Sequence, residues 1–161
     1  MGLDMYLERD WYTQNWDHYG PERVWDISVR QGGDIHPLID PSRIVGVTEQ
    51  VCYWRKANAI HDWFVVNCQN GVDECQRTPV PVEKLIELLG LVNTVLEDPD
   101  LGPTLLPTSS GFFFGDTKYD EYYLEDMKHT SVSLTELDLG EPLRTAALKW
   151  GLDGYYYQSS W

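Results

Sequence analysis

Basic residues are scarce in this chain. Its 161 residues hold 12 Lys and Arg against 26 Asp and Glu, a net charge of −14 with a pI near 4.4. Neutralising phosphates takes clustered cations, so bare nucleic acid is set aside as a direct partner. Cysteine is sparse as well: Cys52, Cys68 and Cys75 form no pair at metal or redox spacing and leave an odd thiol. The opening Met1-Gly-Leu-Asp-Met-Tyr6 has no basic segment leading into an apolar one, which argues against a secretory signal. Nor does any run approach the ~18 apolar residues of a membrane span. Gly2 is followed by Leu-Asp-Met-Tyr, without the Ser or Thr that myristoylation needs. These absences predict a protein of the cytoplasm with reduced thiols and no membrane partner. The glycine-rich phosphate loops, the nucleophile elbow of the serine hydrolases and the paired-histidine helix of the zinc proteases are also missing.

Aromatic residues are plentiful, with seven Trp, ten Tyr and four Phe. They supply large buried areas, and any left exposed favour contact with ligands or partners. Negative charge is concentrated in the second half: residues 83–141 carry 13 acids and 3 bases. Such a field steers a protein towards basic surfaces or simply keeps it soluble, and solubility is the simpler reading.

The most periodic stretch runs from Tyr53 to Cys68. Trp54, Ala57, His61, Phe64, Val65 and Cys68 recur at three- and four-residue spacing, the stripe of an amphipathic helix, with Arg55, Asn58, Ala59 and Asp62 on its other side. Helices are expected over residues 54–69, 82–97, 119–138 and 143–150. Strands are expected over 2–12, 23–31, 43–53 and 154–160, the first two joined as a hairpin, and Pro79-Val80-Pro81 reads as a further short extended piece. Gly140-Glu141-Pro142 should break the chain between the last two helices. The whole, residues 1–161, reads as one α+β domain: a mixed or antiparallel sheet of about four strands covered by three to four helices. Three phenylalanines in a row, Phe112 to Phe114 between Gly111 and Gly115, cannot all face one core, so at least one ring should point away.

Several constellations are candidates for chemistry. Glu121, Glu125 and His129 share a helical face, and Asp126 stands three residues before His129, but no second helix offers the matching acid–histidine pair of a dinuclear centre. No metal and no cofactor is therefore expected. His61 and Cys68 lie two helical turns apart, about 10 Å, too far for direct proton transfer. Arg55 and Lys56 would place two cations in the first turn of a helix, against its dipole, unless they meet acids or a ligand. Trp54, Arg55, Lys56, Asn58 and His61 thus form a candidate cleft for a planar, partly charged ligand such as a nucleotide. The plainer alternative pairs the two cations with carboxylates and hydrogen-bonds His61 inside the core. Asp116, Asp120, Glu121, Glu125 and Asp126 form a candidate acidic docking surface, within an acidic stretch running from Glu83 to Glu141.

Met1-Gly-Leu-Asp-Met-Tyr-Leu7, Tyr53-Trp-Arg-Lys-Ala-Asn-Ala-Ile-His61, Gly111-Phe-Phe-Phe-Gly115 with Tyr119-Asp-Glu121, and Tyr155-Tyr-Tyr-Gln-Ser-Ser-Trp161 together resemble a family of small proteins found in bacteriophage genomes and bacterial relatives. The resemblance spans both ends and the middle of the chain and carries no catalytic residue with it. It implies an accessory phage protein acting in the cytoplasm of the bacterial host. By analogy with other small acidic phage proteins, this one is expected to bind and neutralise a host component, such as a defence protein, without catalysis. The expected partner is a host protein with a basic surface or, alternatively, a small nucleotide-like ligand. A homo-oligomer is left open, and a metal-dependent hydrolase is the remotest alternative.

Overall fold

A computed structural model describes residues 2–137, 139–140 and 143–161, without the side chains of Leu143, Arg144 and Leu148. Met1, Asp138, Glu141 and Pro142 lie outside the described residues, and with them the expected break at Gly140-Glu141-Pro142, the last residue of the expected 119–138 helix and the far limit of the acidic stretch.

Alternating apolar residues make β1 (Asp4–Tyr12), which turns Met5 and Leu7, after Leu3, wholly inward. After a loop come two short strands, β2 (Arg30–Gln31) and β3 (Asp34–Ile35), paired only with each other. Next are β4 (Gly46–Arg55), α1 (Asn58–Cys68), β5 (Thr78–Val80) and α2 (Val82–Glu97). The one-turn α3 (Gly102–Leu105), α4 (Glu121–Thr135), α5 (Leu143–Trp150) and β6 (Leu152–Ser160) complete the chain.

The main sheet is antiparallel with strand order β4-β1-β6-β5, and with its helices it makes an α+β fold. No helix among the described residues is long and apolar enough to cross a membrane. One sheet face is dry: Leu3, Met5, Leu7, Cys52, Trp54, Tyr155 and Tyr157 join Phe64, Leu85, Leu88, Val92, Met127 and Leu134 from the helices in a single core. Phe64 lies flat on Tyr157, with ring centroids 4.1 Å apart and planes 9° from parallel. The other face is wetter and carries charge pairs, among them Arg77 bridging Glu8 at 2.7 Å and Asp10 at 2.8 Å.

Three expectations need correction. Residues 24–29 form no ladder and the 23–31 strand shrinks to Arg30–Gln31, so the hairpin with β1 does not exist. The reason is geometric, because β4 and β6 occupy both edges of β1. The alternation was still meaningful: Trp25, Ile27 and Val29 are half-buried while Val24, Asp26 and Ser28 are exposed. The second correction concerns the helix expected from residue 54. Trp54 and Arg55 are the last residues of β4, Lys56 turns the chain at φ 62°, and the helix begins only at Asn58. Asn58 and Ala59 are consequently buried rather than on an outer face. Third, Tyr119 and Asp120 precede α4, whose N-cap is Asp120, and the helix ends at Thr135.

The three consecutive phenylalanines form a tight turn. Phe112 is 96% exposed, while Phe114 packs edge-on against His61 with centroids 5.0 Å apart. Leu3 N–H donates to Phe113 O at 3.1 Å and Lys56 N–H to Leu3 O at 2.8 Å, so this turn, the start of β1 and the β4–α1 corner are tied together.

Candidate functional site

Residues 54–61 divide into two groups with different environments. Trp54 is 2% exposed and donates its indole N–H to Thr130 Oγ1 at 2.8 Å, so it belongs to the core and lines no cleft. His61 is equally enclosed. Its Nδ1 lies 2.7 Å from Tyr157 Oη and its Nε2 3.0 Å from Asp73 Oδ2, which places it between a phenol and a carboxylate. Burial lowers the imidazole pKa while Asp73 acts in the opposite direction, and burial drives the Tyr157 phenol well above its usual value. Asp73 also accepts Ser159 Oγ at 3.2 Å and Trp161 Nε1 at 2.8 Å. The arrangement is a hydrogen-bonded network, buried at His61 and Tyr157 and open to solvent at Trp161, that pins β6 to α1 and to the loop after it.

Asn58 is a clamp. Its amide donates to Phe114 O at 3.0 Å and Asp116 O at 2.8 Å, and its Oδ1 accepts Ser109 N–H at 3.0 Å. These bonds hold the 108–116 segment against the start of α1. Gly115, at φ 87°, lets that segment approach: a Cβ there would stand 3.1 Å from Lys56 Cβ.

Arg55 and Lys56 are the members of the set that face open space. With Asn58 they line a cavity of about 520 Å³ together with Asp116, Lys118, Asp120, Glu125 and Asp126. The cations thus sit at a strand end and a left-handed corner, and the expected conflict with a helix dipole disappears. Arg55 Nε is 3.9 Å from Asp4 Oδ1, a long and exposed pairing worth little.

The acidic residues have unequal freedom. Asp120 caps α4, accepting from Tyr122 N–H at 3.0 Å and Tyr123 N–H at 3.3 Å. Asp116 holds Lys118 Nζ at 2.8 Å, and that partner lowers its carboxyl pKa. Glu121 and Glu125 are exposed on the first turns of α4. Asp126 is half-buried, and desolvation pushes its pKa up to about 6, against the opposing influence of His129.

Neither Cys52 nor Cys68 is prepared as a nucleophile. Cys52 Sγ lies 3.5 Å from His129 Nε2, but that nitrogen donates to Tyr53 O at 2.8 Å, and burial raises the thiol pKa to about 11. Cys68 is raised to about 11 for the same reason. Among the described residues, no group of three His, Cys, Asp or Glu side chains comes together as a metal site would require.

A second cavity, of about 560 Å³, was not anticipated from the sequence. It lies at the far end of β1, between Trp11, Tyr19, Arg23 and Trp25 on one side and Lys149 and Trp150 of α5 on the other. Its residues come from separate stretches with no common spacing, and the high tryptophan content was the one signal of it in the sequence. Comparison with known proteins finds no matching family model, curated protein or solved structure.

Proposed function

We propose that this chain is a phage accessory protein acting in the bacterial cytoplasm, where it binds a basic host protein and neutralises it without catalysis. The observation that carries this reading is Phe112, 96% exposed in a turn that leads directly to Asp116 and the acidic first turns of α4. An exposed aromatic ring is the usual anchor of a protein interface, and acids at its margin select a basic partner and speed its approach. Exposed Glu121 and Glu125, together with the net charge of −14, supply that field. Asp120 and Asp126 add to the field but are less free to meet a partner, one as a helix cap and the other half-buried.

The test is retention of host proteins on the immobilised chain, with an Asp116→Asn/Glu121→Gln/Glu125→Gln variant and a Phe112→Ala variant run in parallel. A basic protein should be retained by the native chain, released by moderate salt, and retained poorly by both variants. Retention indifferent to salt and to both variants would sink the proposal.

A further inference from the structure

The cavity at the far end of β1 has fixed walls. Trp25 is locked by Asn15, whose Oδ1 accepts Trp25 N–H and whose Nδ2 donates to Trp25 O, both at 2.8 Å. Trp11 donates its indole N–H to Glu49. Tyr12 N–H donates to Gly151 O at 2.6 Å, and Gly151, at φ 75°, is a glycine for steric reasons: a Cβ there would lie 2.5 Å from Tyr12 O. Trp11 and Trp25 stand with centroids 6.3 Å apart at 56°, and Trp150 closes the opposite side, half-exposed. A volume of about 560 Å³ with aromatic walls and a few charges has the size and make-up of a small-molecule site.

The charges select the ligand. Arg23 lies over the Tyr19 ring at 4.1 Å and Lys149 over the Trp150 ring at 4.6 Å. Among the described residues, neither cation has a carboxylate within ion-pair distance. The lining also holds two acids, which keep their charge but have their oxygens engaged elsewhere. Asp153 accepts Tyr156 Oη at 3.0 Å, and the Glu22 carboxylate folds back over Gly20. A cationic ligand would meet like charge at Arg23 and Lys149. A purely apolar ligand would strip water from Arg23 and Lys149 with nothing in return. A flat heterocycle carrying an anionic group satisfies both walls, its ring against the indoles and its charge between the two cations.

We infer that this cavity binds a nucleoside monophosphate, the base stacked among Trp11, Trp25 and Trp150 and the phosphate held by Arg23 and Lys149. The site is separate from the acidic docking surface, and neither proposal depends on the other.

The experiment follows indole fluorescence of the full chain during titration with AMP, GMP, CMP and UMP, with adenosine, guanosine, inorganic phosphate and betaine as further probes. At least one nucleotide should quench saturably, and its nucleoside should bind about tenfold more weakly. An Arg23→Gln/Lys149→Gln variant should lose about the same factor for the nucleotide and none for the nucleoside. Trp150→Ala should weaken both, and thermal melts of the variants establish that each remains folded. Four outcomes would overturn the inference: no saturation by any nucleotide up to about 1 mM, equal affinity for nucleoside and nucleotide, unchanged nucleotide affinity in the double variant, or saturable binding of betaine in preference to nucleotides.

Discussion

The two cavities enclose nearly the same space, about 560 and 520 Å³, and differ in almost everything else. The aromatic one is walled by rings, three of which, Trp11, Tyr19 and Trp150, have a cation of the protein over one face. The charged one is built at a corner where a strand turns into a helix, its lining mixing Arg55, Lys56 and Lys118 with four carboxylates. The difference teaches that volume says little about recognition. One cavity offers stacking surfaces held by backbone hydrogen bonds, suited to a rigid ligand. The other offers solvated charges near an interface, where they tune the approach of a partner more than they bind tightly.

The comparison can be broken at either end. The largest effect is expected from Asn58→Ala, which removes three buried hydrogen bonds and releases the 108–116 wall of the charged cavity. Urea unfolding should report a loss of about 3 kcal/mol, with ligand quenching in the aromatic cavity retained below the transition. Gly151→Ala is the counterpart at the other end. Its Cβ meets Tyr12 O in a left-handed conformation, so about 2 kcal/mol should be lost and quenching should disappear.

Two milder changes sharpen the contrast. Asp126 has a carboxyl pKa raised from 3.8 to about 6, so the folded protein holds its proton more tightly than the unfolded chain does. The resulting penalty is absent below the unfolded value, grows as pH rises through about 6, and is complete above it. Asp126→Asn should therefore raise the melting temperature at pH 7.5 by about 3 °C, a figure kept small because the group is partly solvated. The gain should vanish below pH 4. The smallest effect on stability belongs to Trp150→Ala. The side chain is half-exposed, and the change should stay within about 0.5 kcal/mol in urea unfolding while fluorescence titration registers the lost stacking.

How much of this was legible depended on how local the determining contacts are. The bounds of α2, Val82–Glu97, follow from sixteen residues of unbroken periodicity after a proline, and the structure has the same limits. The β4–α1 boundary was misplaced because aromatic and apolar residues continue across it. Trp54 and Cys52 obey a two-residue alternation that also fits a helical stripe, and the corner is made by Lys56 at φ 62°, a residue type that does not advertise a left-handed conformation. Residues 24–29 kept the burial rhythm of a strand, but pairing depends on a free neighbour, which no local pattern reveals. A core role for His61 was already the plainer reading, but its partners stand 12 residues away at Asp73 and 96 away at Tyr157 and emerge only from the closed sheet. Glu121 and Glu125 were readable as exposed acids, whereas the capping task of Asp120 required knowing where α4 begins.

The strand order also fixes a sequence of events in time. β6, made from residues 152–160, lies between β1 and β5, so it is interior to the sheet although it is the last strand along the chain. While the polypeptide is being synthesised, β1 can pair with β4, but its other edge stays open until the final strand arrives. Until then Asp73 lacks Ser159 and Trp161, His61 lacks Tyr157, and the second wall of the aromatic cavity is missing. The sheet is closed by contacts between residues 4–11 and residues 152–160. Such pairing must close a long loop before it is rewarded, which works against fast folding, and until it forms the edge of β1 that β6 covers is left unpaired.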